Sequence, residues 1–459
     1  MSASTTNPVT AFVLSGGGAK GAFSAGALDF LIRHGRVLPQ IITGTSAGAI
    51  CATVIAQART PAEWDSVAGT LRNDILRMSV KDSAFVKQPW LAALDGTSAG
   101  EDIEHLIRGK TRPPIPPDPT APQGADVLAG AGPAPLTFRQ GWEDLKSLVA
   151  NLPAQHRAMK QFGVDSRSIM LLDPLEAAFR GTTPGTGPAP IDEGAVARDG
   201  VQLRLTITAL NDGCPRYITE SGTAVESDAV TPAGTGDDQP GVISGLLASS
   251  SVPMVFPPRP IGSDVYVDGG VVQNIPLEPA VALGASDIYL VLADPLRCPP
   301  PRIDYRTANL LEVGMRAEAT VAFYAQQQRD VAARRPEGVS ITMIDPTITA
   351  ISTFETDPGL LTITMDYGWL RACGETATKS DDDRAHAHHL ADVIVTGRVR
   401  SWYLEAGLGG SGDSHEAALA SAKKLVGDSL AAWQALGLEV PVGAMAWSTA
   451  PELHEQPSA

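Results

Sequence analysis

The sequence predicts an α/β fold with a mostly parallel central sheet flanked by helices on both faces. Short apolar runs alternate along the chain with segments of helical periodicity, as expected when crossover helices connect parallel strands. The chain has 459 residues, of which 43% are hydrophobic and 19% are charged. Such a chain can bury a substantial core and is long enough for more than one domain.

The predicted strands are short apolar or alternating runs bounded by turn-forming residues. They span residues 11–15, 40–43, 201–210, 217–219, 265–267 and 287–292. Residues 201–207 alternate apolar and polar side chains, which favours a position toward an edge of the sheet.

A glycine-rich loop follows the first predicted strand. Residues 15–21 read Ser-Gly-Gly-Gly-Ala-Lys-Gly and open a predicted helix. Successive glycines leave backbone N–H groups bare, and the helix N-terminus behind them adds a partial positive charge. The loop is therefore suited to hold an oxyanion or a phosphate.

Ser46 lies at the centre of Gly44-Thr45-Ser46-Ala47-Gly48, between an apolar strand and a helical run. A sharp strand-to-helix turn strains the central residue, and small flanking residues let strand, turn and helix pack closely. The hydroxyl is then presented as a nucleophile. Taken alone, the pattern equally fits an ordinary small residue in a buried turn.

Asp268 ends a short alternating strand and precedes Gly269 and Gly270. Because these two neighbours have no side chains, Asp268 can come close to another loop. The alternative is a turn-forming aspartate without chemistry, since aspartate is common in turns.

In this order, the three motifs resemble those of the patatin-like phospholipases: a G-G-G-x-[RK]-G loop, a G-x-S-x-G elbow and a D-G-[GA] turn. The resemblance extends to residues 248–258 and 269–276, and covers about residues 9–60 and 200–295. It implies a three-layer α/β/α architecture of the patatin type.

The resemblance also implies a serine hydrolase that cleaves carboxylic esters of lipids through a covalent acyl-serine intermediate. Ser46 would be the nucleophile and Asp268 the base, which together form a dyad. The backbone amides of Gly16, Gly17 and Gly18 would form the oxyanion hole. A lipid or another acyl ester would be the substrate, and no cofactor or metal is implied.

Lys20 occupies a position where the family commonly has arginine. Since lysine lacks the planar guanidinium fork, a bidentate contact made by that arginine would be weaker here. The remaining residues expected to support the motifs are Gly21, Gly44, Gly48, Gly269 and Gly270.

Other interpretations of these segments stay open. The Gly16-x-Gly18-x-x-Gly21 pattern also fits a dinucleotide fingerprint, although the second strand does not end in the acidic residue that this fingerprint requires. A nucleotide-binding enzyme and a catalytically silent lipid-binding scaffold are therefore the rival functions. His386, His388 and His389 follow Asp268 and could complete a serine–aspartate–histidine order or bind a metal, but they lie at an acidic, solvent-facing helix start.

The expected organisation has a hydrolase domain over residues 9–295 and a mainly helical C-terminal extension over residues 296–450, which packs on this core. Residues 61–198 form a largely helical insertion that would act as a lid over the acyl pocket. Within it, residues 110–135 are rich in proline and glycine and cannot be helical.

The formal net charge of −16 argues against nucleic acid as a partner and against long-range attraction to anionic membranes. A transient contact with a membrane surface would then depend on apolar side chains.

The first residues lack the basic start and apolar stretch of a secretory signal, and the uncharged segment 37–58 fits the elbow better than a membrane span. The 4 cysteines have no C-x-x-C spacing, so a reducing, cytoplasmic location is expected. The oligomeric state is left open.

Overall fold

The computed structural model describes residues 8–92, 95–96, 168–183, 185, 187–234, 239–298, 305–306, 313, 316–332, 337–407 and 412–452. The predicted proline- and glycine-rich loop 110–135 lies outside these ranges, as does most of the predicted insertion 61–198.

The strands are β1 (Thr10–Leu14), β2 (Ile41–Thr45), β3 (Val86–Lys87), β4 (Met170–Leu171), β5 (Gln202–Ala209), β6 (Pro215–Thr219), β7 (Ala224–Val225), β8 (Arg259–Ile261), β9 (Asp264–Asp268), β10 (Asp287–Val291) and β11 (Ser340–Ile344). The α-helices are α1 (Gly21–Asp29), α2 (Ala47–Ile55), α3 (Pro61–Met78), α4 (Pro89–Ala92), α5 (Asp173–Phe179), α6 (Glu193–Val196), α7 (Val242–Ser249), α8 (Leu277–Ala282), α9 (Phe323–Ala332), α10 (Pro358–Ala377), α11 (Asp381–Glu405) and α12 (Asp413–Ala435). Short 3-10 turns span Gly18–Lys20, Gly269–Val271 and Ala444–Ala446, and π-helical turns span Phe30–His34 and Ala317–Ala322.

The central sheet has the strand order β11-β10-β1-β2-β5-β6-β7. The first five strands of this order run parallel, whereas β6 and β7 are antiparallel additions. Strand β9 pairs antiparallel with β5, and β8 pairs with β9. The predicted mostly parallel sheet is confirmed, and each strand predicted from the sequence overlaps a strand of the structure.

The edge position predicted for β5 is wrong. β5 lies between β2 and β6, and every residue after Gln202 is buried. Two of its buried polar side chains have partners inside the protein: the Arg204 guanidinium lies 3.0 Å from the Glu220 carboxylate, and the Thr208 hydroxyl donates to the Asp268 carbonyl at 3.0 Å. An alternating pattern can therefore occur in a central strand when its polar residues find partners inside the protein.

Helix starts follow local capping signals. α3 begins with a capping box in which Thr60 and Glu63 bond each other's backbone N–H groups. The Asp357 side chain caps α10, and Ser380 caps α11 at the acidic segment where the sequence predicts a helix start.

The region after residue 296 adds to the same core. β11 extends the parallel sheet, and α10 packs directly on α1. A Cβ at Gly26 would lie 1.7 Å from the Met365 carbonyl oxygen, and one at Gly368 would lie 1.9 Å from the Phe23 carbonyl oxygen. These glycines let the two helix backbones touch. The domain boundaries given above stay predictions.

Among the helices that the structure describes, none is both long and apolar enough to cross a bilayer. The cysteines are free thiols; Cys51 and Cys373 are buried, and burial raises the pKa of each to about 12.

Candidate active site

Ser46 occupies the turn between β2 and α2, where its backbone has φ 54° and ψ −124°. Residues other than glycine rarely adopt such a positive φ, so the backbone of this turn is strained. Gly44 and Gly48 make it possible, because a Cβ at Gly48 would lie 2.4 Å from the Leu14 carbonyl oxygen. The Ser46 N–H donates to the Ser249 hydroxyl at 3.0 Å, which anchors the turn. This geometry is typical of a nucleophile elbow.

The register of β5 brings Asp268 to the same place. Thr206 pairs with Thr45 at the end of β2, and the next residue, Ile207, pairs with Asp268 at the end of β9. β2 and β9 run in opposite directions along one side of β5, so their carboxyl ends meet. Asp268 therefore lies beside the turn that carries Ser46.

Asp268 is a buried carboxylate with one oxygen available. Its Oδ1 accepts the Gly270 N–H at 2.7 Å, and its own N–H donates to the Ser251 carbonyl at 2.9 Å. Burial raises the pKa of Asp268 to about 6, while the Ser46 hydroxyl and the Gly270 N–H lower it. Within the described ranges, Oδ2 accepts no hydrogen bond of ordinary length and angle. The Ser46 hydroxyl is thus close enough to lower the pKa of Asp268, although it makes no hydrogen bond of ordinary length and angle to Oδ2.

The glycine loop presents fewer free amides than the sequence predicts. The Gly16 N–H donates to the Asn274 carbonyl at 3.2 Å, so it is already engaged. The N–H groups of Gly17 and Gly18 have no hydrogen-bond partner in the part of the chain that the structure describes. Of the three amides predicted to form the oxyanion hole, those of Gly17 and Gly18 are therefore free among the described residues.

Asn274 connects the glycine loop with the turn after Asp268. Its Nδ2 donates to the Gly16 carbonyl at 3.4 Å. Its Oδ1 lies 2.5 Å from where a Cβ of Gly16 would be and 2.9 Å from that of Gly270. Sequence reasoning did not single out Asn274, although it belongs to the segment 269–276 that carries part of the family resemblance.

The other motif residues act through packing and charge. The Lys20 Nζ lies 2.6 Å from the Asp294 Oδ1, so the loop is tied to the end of β10. A Cβ at Gly21 would lie 2.8 Å from the Cβ of Ala47, and one at Gly269 would lie 2.4 Å from a backbone oxygen of β5. These glycines allow the three motifs to approach each other.

A mostly apolar cavity of about 160 Å³ opens beside Ser46. Part of its wall comes from described residues of the predicted insertion, including residues of α3 and α5, and part comes from the chain after β11. The larger apolar residues that line it are Ile50, Ile75, Met78, Phe85, Leu172, Leu175, Val252, Phe256, Phe354 and Leu361. Its shape and chemistry suit a hydrocarbon chain.

The histidines of α11 are not part of this site. The His388 Nε2 lies 3.1 Å from the Glu375 carboxylate, and none of His386, His388 and His389 is among the described residues that line the cavity. Across the described ranges, no cluster of three or more histidine, cysteine or acidic side chains is arranged to hold a metal.

Comparisons with known proteins found a family model and several distantly similar solved structures. A family model described as patatin-like phospholipase matches residues 12–281. Among solved structures, VipD from Legionella pneumophila is 15% identical, with 97% of this chain and 93% of VipD covered and a TM-score of 0.32. Human GIVD cytosolic phospholipase A2, in complex with methyl gamma-linolenyl fluorophosphonate, is 12% identical, with 96% and 59% covered and a TM-score of 0.32. ExoU from Pseudomonas aeruginosa, in complex with SpcU, is 15% identical, with 96% and 76% covered and a TM-score of 0.21.

Among curated protein sequences, none matches this chain significantly. The family model nevertheless spans more than half of the chain, and its range contains the glycine loop, the Ser46 elbow and the Asp268 turn. The protein belongs to the patatin-like phospholipase family.

Proposed function

We propose that this protein hydrolyses carboxylic esters of lipids, with Ser46 as the nucleophile and Asp268 as the general base. One observation carries the proposal: a strained serine lines an apolar cavity and lies beside a buried carboxylate that has a free oxygen. Membership of the family supports lipid hydrolysis, and the apolar lining supports an acyl chain as the bound group.

In the first step, the Ser46 oxygen attacks the ester carbonyl while its proton passes to Oδ2 of Asp268. A pKa of about 6 keeps this carboxylate mostly ionised at neutral pH, yet leaves it a better proton acceptor than an exposed aspartate. The negative charge that develops on the carbonyl oxygen faces the free N–H groups of Gly17 and Gly18. Each such donor is worth about 3 kcal/mol of barrier in related chemistry.

In the second step, the tetrahedral intermediate collapses and the alcohol leaves with the proton held by Asp268, so that Ser46 carries the acyl group. Water then attacks this acyl-serine ester, with Asp268 again as the base. The carboxylic acid is released and the serine hydroxyl is restored.

A fluorophosphonate with an alkyl chain tests this assignment, because it reacts covalently with activated serines. We expect labelling at Ser46 by mass spectrometry, loss of labelling and of esterase activity in Ser46→Ala, and much slower labelling in Asp268→Asn. Ser24→Ala is a matched control, since this buried serine lies in α1 and does not line the cavity.

The rival functions give different results. Lipid binding by the intact protein without labelling at Ser46 would favour a silent scaffold. Thermal stabilisation by a nucleotide, again without labelling, would favour a nucleotide-binding protein.

A further inference from the structure

A loop outside the family-matched residues closes one side of the cavity beside Ser46. Residues 351–357, the 351–357 loop, lie between β11 and α10. The Thr353 carbonyl accepts the Ala19 N–H at 2.8 Å, and a Cβ at Gly18 would lie 2.4 Å from the same oxygen. The 351–357 loop therefore touches the glycine loop next to the free amides.

The 351–357 loop gives the cavity a charge. Glu355 is the one ionisable side chain among the described residues that line it. Its Oε1 accepts the N–H groups of Thr356 at 2.9 Å and Asp357 at 3.1 Å. These two bonds restrict the half-buried carboxylate of this lining residue to one orientation.

Among the described residues of the lining, no cation balances this carboxylate. Lys20, the basic residue of the neighbouring glycine loop, is paired with Asp294 at 2.6 Å. Asp268 adds a second carboxylate next to the turn of Ser46, which lines the cavity, and the whole chain has a formal net charge of −16. A ligand in the cavity therefore meets a negative potential that apolar walls screen less than water would.

We propose that Glu355 is a specificity-determining residue that selects esters by charge. It disfavours lipids whose headgroup has a net negative charge and favours uncharged lipids, or zwitterionic ones whose cationic group faces the carboxylate. Repulsion of the wrong ligand is an effective source of selectivity, because it costs the preferred ligand nothing. This inference rests on the proposed function, since it concerns the same cavity.

The test compares two lipids with the same single acyl chain: a zwitterionic monoacyl glycerophosphocholine and an anionic monoacyl glycerophosphoglycerol. Both are presented in micelles of an uncharged detergent, and kcat/KM is measured for each. The wild type should prefer the zwitterionic lipid, and Glu355→Gln should reduce this preference on the order of tenfold. Glutamine keeps a carbonyl oxygen to accept the two N–H groups, so the shape of the 351–357 loop is preserved.

Two further variants complete the design. Asp382→Asn removes an equal charge from the exposed first turn of α11, outside the cavity lining, and should leave the preference unchanged. Glu355→Lys should reverse the preference in favour of the anionic lipid. An unchanged preference in both Glu355 variants, with melting temperatures like that of the wild type, would overturn the inference. The proposed function would still stand if hydrolysis required Ser46.

If neither lipid is hydrolysed, binding measurements distinguish the charge selectivity of Glu355 from the proposed ester hydrolysis. Calorimetric titration of both lipids into Ser46→Ala should then show the same charge preference, and adding Glu355→Gln should remove it. That result would retain the inference and reject ester hydrolysis. Equal affinity for both lipids would reject the inference as well.

Discussion

Lys20 and Asp294 form an ion pair, with Nζ 2.6 Å from Oδ1, that fastens the glycine loop to the end of β10. Both side chains are largely buried, with 15% and 4% of their surfaces exposed. Lysine has a compact ammonium group where the family commonly has the planar guanidinium of arginine. Its side chain therefore attaches the glycine loop through this single short ion pair. Removing the lysine would leave a carboxylate inside the protein without its cation.

We therefore expect Lys20→Met to lower the free energy of unfolding by about 3 kcal/mol, because an unpaired buried charge is costly. Chemical denaturation measures this loss. The double variant Lys20→Met/Asp294→Asn should recover most of it, since neither partner is then charged. If the double variant is no more stable than the single one, the loss has a cause other than the unpaired carboxylate.

Much of the fold and the motif residues could be predicted from local sequence. The strand runs and the turns at Ser46 and Asp268 are marked by nearby glycines and by apolar periodicity. The meeting of these two residues was expected only through the family resemblance. The physical cause is the reversed direction of β9 along β5, and a pairing partner far away in the chain leaves no local signal.

The features that the sequence did not predict also depend on contacts between segments that are distant in the chain. The polar alternation that placed β5 at an edge did not reveal that Arg204 has an internal partner in Glu220. The Gly16 N–H bonds to the Asn274 carbonyl of a distant segment, so the sequence around Gly16 does not indicate that this amide is engaged. Likewise, nothing in the sequence around Glu355 indicates that it lines the cavity of Ser46.

Asn274 should act as a positioning residue. Asn274→Ala removes the bond to the Gly16 carbonyl and the amide that separates the glycine loop from Gly270. We expect kcat for ester hydrolysis to fall on the order of tenfold with little change in KM, because misplaced oxyanion donors affect the transition state more than substrate binding. Asn211→Ala, which breaks an exposed bond to Asp264, is the control. An increase in KM alone would contradict this role.

Phe354 should limit the length of the acyl chain. It lines the cavity from the 351–357 loop, so Phe354→Ala enlarges the space beside Ser46. We expect kcat/KM to shift toward longer chains in a series of p-nitrophenyl esters, by up to about fourfold for each additional buried methylene. Phe323→Ala, an equal truncation in α9 outside the cavity lining, should leave the series unchanged. The same profile in both variants would exclude this role for Phe354.

The ionisation of Asp268 should make the protein less stable in the pH range in which it is most active. Its pKa is about 6 in the folded protein and close to its ordinary value of 3.8 in the unfolded chain. The folded state therefore holds the proton more tightly, and this stabilisation is complete below pH 4 and lost as the pH rises through 6. Activity should change in the opposite direction, because the base must be ionised.

Asp268→Asn separates these effects, since asparagine does not titrate. Between pH 4 and pH 8, the free energy of unfolding of the variant should rise relative to that of the wild type by roughly 2.4 kcal/mol. If the amide lowers the stability of the variant by the same amount at every pH, that loss does not affect the change between pH 4 and pH 8. Glu416→Gln, on the exposed first turn of α12, should show no such trend. Parallel stability curves for Asp268→Asn and the wild type, measured by denaturation at several pH values, would mean that Asp268 ionises as easily in the folded protein as in water.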